Sequence, residues 1–99
     1  MRMLLRVQMD TETANRAIKE GTLPAVLQST LERYKPEAAY FATHEGARAA
    51  YLVLDVADPA QIPVIAEPFF MNFKAKVDFF PAMNADEVQK GVQDYLASV

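Results

Sequence analysis

Glu67 is the carboxylate with the most unusual neighbours in this chain, lying within Ile62-Pro63-Val64-Ile65-Ala66-Glu67-Pro68-Phe69-Phe70. A carboxyl group turned into apolar surroundings loses its hydration. Its charged form is then disfavoured, and it becomes able to give or take a proton near neutral pH. The same spacing supports a plainer reading. At helical geometry Ile62, Ile65, Ala66 and Phe69 make an inward stripe, and Glu67 falls about 100° round from Ala66, toward solvent. Prolines at 59, 63 and 68 weaken that wheel, because they argue against one regular helix.

The other groups able to do chemistry are few. His44 is the only histidine and stands beside Glu45-Gly46, which reads as a hairpin turn. A histidine base needs a pocket, and turn positions are mostly solvated. Tyr40, Tyr51 and Arg6 share one side of neighbouring strands, with Asp78 in reach. Their phenol and guanidinium groups could line a ligand cavity, or they could form a subunit seam, where tyrosine is common. Lys74 and Lys76 read as edge-strand charges that block further pairing. With no cysteine, disulfides, thiolate metal sites and thiol nucleophiles are excluded. No metal site and no cofactor is implied. The net charge of −3 argues against nucleic acid, whose phosphates need a positive surface.

These residues must be positioned by the surrounding elements. The 99 residues are 52% hydrophobic and 23% charged, a composition that fits one globular domain over 1–99. The run Met3-Leu4-Leu5 is stopped by Arg6, so it does not read as a signal peptide. No apolar stretch approaches the length of a membrane span. The expectation is a cytoplasmic protein. Residues 2–9 alternate as a strand. Asp10 or Thr11 then caps a helix from about Glu12. Gly21-Thr22-Leu23-Pro24 breaks that helix, and a second one starts near Pro24 and ends before Pro36. Strands are expected over 38–44, 48–56 and 74–80. Asp58-Pro59 leads a short turn and a kinked helix to about Asn72. Asn84 with Glu87 has the spacing of a capping box. After it Val88, Gly91, Val92, Tyr95, Leu96 and Val99 form a helical apolar stripe that must bury somewhere.

The resulting order, β-α-β-β-α-β plus a last helix, is the α+β, ferredoxin-like plan with a four-stranded antiparallel sheet. Right-handed crossovers put both helices on one face. Met3, Leu5, Val7, Phe41, Leu52, Leu54, Val77 and Phe79 are then the expected core. The other face carries Leu4, Tyr40, Tyr51, Val53 and Phe80, too many large apolar groups for a plain solvent face. A second copy packed sheet against sheet about a twofold axis would cover them. Arg6 would then need a partner such as Asp78 or Asp55.

In element order, in these two-faced strands and in the ending Phe80-Pro81-Ala82-Met83-Asn84, the chain resembles the dimeric α+β barrel proteins. The segments Glu37-Ala38-Ala39-Tyr40-Phe41 and Ile65-Ala66-Glu67-Pro68-Phe69-Phe70 look like an uncharacterised bacterial family of that class. The resemblance covers nearly the whole chain. It implies a homodimer through sheet faces that binds a small apolar or aromatic molecule, with Tyr40, Tyr51 and Arg6 as lining. It also admits a cofactor-independent isomerase or monooxygenase, with Glu67 as the acid/base group. The break at Gly21 to Pro24 is a candidate mouth for a cavity. RNA-recognition modules share the element order, but the third strand, Arg48-Ala49-Ala50-Tyr51-Leu52-Val53-Leu54, lacks their aromatic and basic motif.

Overall fold

The computed structural model describes residues 1–99. Its elements run β1 (Arg2–Gln8), α1 (Thr11–Glu20), α2 (Thr22–Tyr34), β2 (Ala38–His44), β3 (Ala47–Asp55), α3 (Gln61–Phe73), β4 (Lys76–Pro81) and α4 (Ala85–Ser98). The four strands form one antiparallel sheet in the order β2-β3-β1-β4. This is an α+β architecture with an open sheet, compatible with a ferredoxin-like fold. The first crossover carries two helices rather than one.

The helix boundaries follow local chemistry. The Asp10 carboxylate accepts from the Thr13 backbone N–H at 3.0 Å and from its hydroxyl at 2.7 Å, capping α1. These bonds hold the Asp10 carboxyl below its ordinary pKa, the backbone N–H contributing most. Gly21 takes φ of 84° and ends α1 through its N–H to the Ile18 carbonyl. That left-handed geometry suits glycine, and α2 starts at once. Pro24 falls in the first turn of α2, where its missing N–H costs nothing.

Three prolines do not prevent a helix at α3. Pro59 precedes it and Pro63 sits in its first turn, so only Pro68 lies in the interior. There the lost N–H leaves the Val64 carbonyl without its helical donor.

The core lies between the sheet and α1–α3. Leu5, Val7, Leu52, Leu54, Ile65, Phe69 and Phe73 are all at most 2% exposed. Phe69 and Phe73 pack with ring centroids 6.2 Å apart. Phe41 is a correction: it points to the helix side but is 55% exposed, because the helices cover the inner strands and stop short of the edge strand β2. Val77 and Phe79, on the opposite edge strand β4, pack against the core only partly buried.

α4 is the second departure from expectation. Its capping box forms, with Asn84 and Glu87 exchanging side-chain and backbone bonds, and Glu87 also pairs with Arg2. Yet no residue of α4 is buried. Val88, Val92, Tyr95, Leu96 and Val99 are 44–84% exposed. The expected apolar stripe exists, but the chain's own body does not bury it. The radius of gyration is 16.0 Å and the longest extent 56 Å, against about 13 Å expected for the radius of a compact chain of this length.

Candidate functional site: the open sheet face

Strand register decides what the open face presents. Residues of even number on β1 and β4 align with odd ones on β3 and even ones on β2. One level of the sheet therefore reads Tyr40–Tyr51–Arg6–Asp78 straight across all four strands. The next reads Ala38–Val53–Leu4–Phe80. With strands about 4.8 Å apart, each row is roughly 15 Å long. The three predicted lining residues are thus brought into one line.

The electrostatics of the row centre on Arg6. Its Nη2 donates to Asp78 Oδ2 at 3.1 Å, and its Cζ lies 5.4 Å from the centre of the Phe80 ring. The ion pair and the cation–π contact hold the guanidinium over an aromatic face. Of the two expected partners, Asp78 is the one used. Asp55 instead binds the N-terminal ammonium at 2.8 Å. Tyr40 is 73% exposed and Phe80 41%, while Tyr51, Leu4 and Val53 are half-buried. At the end of the face Arg2 donates to Glu37 at 2.7 Å and also pairs with Glu87. These carboxylates, Glu37 first, hold the Arg2 guanidinium above its ordinary pKa. The Glu87 carboxyl is held below its ordinary value by the Asn84 N–H and then by Arg2.

Such a surface can bind and orient; it holds phenols, a cation over an aromatic ring and apolar patches. Glu67 stands apart from it. Ile65, Ala66 and Phe69 take the inward stripe and Glu67 is exposed on α3, so the apolar enclosure that an acid/base role requires is not around it in the single chain. His44 is half-buried beside the hairpin. Its backbone carbonyl accepts from Gln8 at 2.7 Å and its Nε2 lies 3.7 Å from Glu45.

Sequence reading missed a groove between α2 and α3. A cavity of about 240 Å³ is lined there by Thr22, Ser29, Arg33, Tyr34, Val64 and Pro68, among others. The Val64/Pro68 spacing of four residues was the available signal. Of the break at Gly21 to Pro24, only Thr22 lines this groove, with Ala25 just after it. No helix is long and apolar enough to cross a membrane. No protein-family model matches the chain, and no curated protein matches it.

Proposed function

We propose that the chain works as a homodimer in the manner of the dimeric α+β barrels, its open sheet faces meeting about a twofold axis. In this reading the row of Tyr40, Tyr51 and Arg6 lines the seam and binds a small apolar or aromatic molecule. The observation that carries the reading is the open face itself: Tyr40, Phe80, Tyr51, Val53 and Leu4 are contiguous by register and incompletely covered. A contiguous apolar patch of this kind marks an interaction surface.

The exposed stripe of α4 supports the same reading. An isolated helix of 14 residues is marginal in water, because most helical stability comes from packing an apolar face. A second copy gives that face a surface. The chemistry favours binding over turnover, since Glu67 is solvated and the row holds no reacting pair. Native mass spectrometry of the protein as purified tests the proposal. The expected spectrum is a dimer carrying a small adduct that denaturation releases. A bare monomer across micromolar concentrations contradicts it.

A further inference from the structure

We propose that the α4 helices of two copies pair side by side along the stripe of Val88, Val92 and Tyr95, about a twofold axis that runs parallel to the strands. The inference rests on the sheet-to-sheet dimer, and adds to it a second contact and the direction of its axis.

The helix has one apolar side. On a helical wheel Val88, Val92, Tyr95 and Val99 fall within about 60° of one another, and they are 44–84% exposed. Asp86, Lys90 and Asp94 fall on the opposite side, where Lys90 donates to Asp94 at 2.6 Å. An apolar stripe with the charges turned away from it is the pattern of a helix that packs against another surface. Gly91 lies at the edge of the stripe near the helix midpoint, and a Cβ there would meet nothing within the chain. Glycine weakens a solvated helix, but it lets a second helix come close.

The root of α4 points to the neighbour. The Ala82 N–H donates to the Arg2 carbonyl at 3.1 Å, so the pairing of β4 with β1 runs to the base of the helix. Arg2 has the parity of Leu4 and Arg6, which puts its side chain on the open face. Its guanidinium holds Glu87, in the first turn of α4, together with Glu37 just ahead of β2. The helix is therefore rooted on the open-face side, at the end of the central strand β1. From there it projects. Its 14 residues span about 21 Å, and the molecule measures 56 Å along its longest axis against 27 and 19 Å across.

Two axes in the plane of the seam bring the sheets face to face. An axis across the strands sends the two α4 helices out at opposite ends and leaves each uncovered. An axis along the strands sends them out at the same end, rooted on facing surfaces. The spacings then agree, since sheets pack about 10 Å apart and helices with their axes roughly 8–10 Å apart. The contact is isologous, and residues on the axis meet their own counterparts.

The chain has no cysteine, so a single introduced one reports on its counterpart alone. Val88→Cys and Val92→Cys should each form a disulfide-linked dimer under oxidised glutathione at least tenfold faster than Gln93→Cys on the polar side, because a disulfide needs Cα atoms about 4.4–6.8 Å apart. Val92→Lys, at a position 52% exposed in the single chain, should weaken the dimer at least tenfold by sedimentation velocity. Either cysteine on the stripe linking no faster than Gln93→Cys overturns the proposal, as does a Val92→Lys protein that dimerises like the parent. If the unmodified chain is nonetheless dimeric, the sheet-to-sheet reading stands without the helix pair. A species of single-chain mass throughout overturns both.

Discussion

Replacing Tyr40 by alanine separates the open face as a surface from the open face as an interface. Tyr40 is 73% exposed. A buried aromatic side chain removes roughly 150–250 Å² from water, so about 110–180 Å² per copy remains to be covered. At about 25 cal/mol per Å² this sets a ceiling of roughly 3–4.5 kcal/mol per copy. Association converts area to affinity inefficiently, and truncation of an anchoring tyrosine at an interface costs about 1–2 kcal/mol or more. A twofold axis counts the loss twice, so the dimer should lose about 2–4 kcal/mol, roughly a 30- to 1,000-fold weaker dissociation constant. Within the single chain the ring loses only its cross-strand pairing with Tyr51, about 0.2–1 kcal/mol. Sedimentation velocity over a concentration series measures the effect, with Lys19→Ala on the exposed side of α1 as control. A Tyr40→Ala protein that dimerises as tightly as the parent refutes the reasoning.

Phe69→Ala empties the centre of the core, where the ring is fully buried. It should cost about 3–5 kcal/mol of a total near 5–15, read as a lower denaturant midpoint at unchanged slope; a loss below about 1 kcal/mol contradicts the core assignment. Gly21→Ala meets no atom but keeps a φ of 84°, so it should cost about 1–2 kcal/mol through backbone strain alone and lower the melting temperature by several degrees. For Glu87, whose folded pKa is depressed, the stabilising bonds are fully present above the ordinary glutamate value of about 4.3 and are lost as pH falls through the folded value. Circular dichroism should therefore show helix loss on acidification below that range. Glu87→Ala, which removes the acceptor for the Asn84 N–H and the partner of Arg2, should show less helix at neutral pH and a flatter acid limb, and identical curves would count against the capping box as what holds α4.

Much of the architecture was legible because its signals are local. Strict alternation gave the strands, Gly21 the break between α1 and α2, and Asn84 with Glu87 the start of α4. Face sorting by odd and even positions also brought Tyr40, Tyr51 and Arg6 together, since register preserves parity across a sheet. What was not legible depends on coverage. Phe41 has the parity of a core residue, but an edge strand is shielded only as far as the helices reach. Prolines 59, 63 and 68 looked alike in sequence, yet only Pro68 disturbs a helix, because position within the first turn decides the effect. The groove between α2 and α3 joins residues far apart along the chain and comes into view only once α2 and α3 are packed side by side.

The central claim is that the open face is covered by a second copy. Sedimentation equilibrium of the unmodified chain at micromolar concentration tests it most directly. The account predicts a species of twice the chain mass that dissociates on Tyr40→Ala; a species of single-chain mass throughout contradicts it.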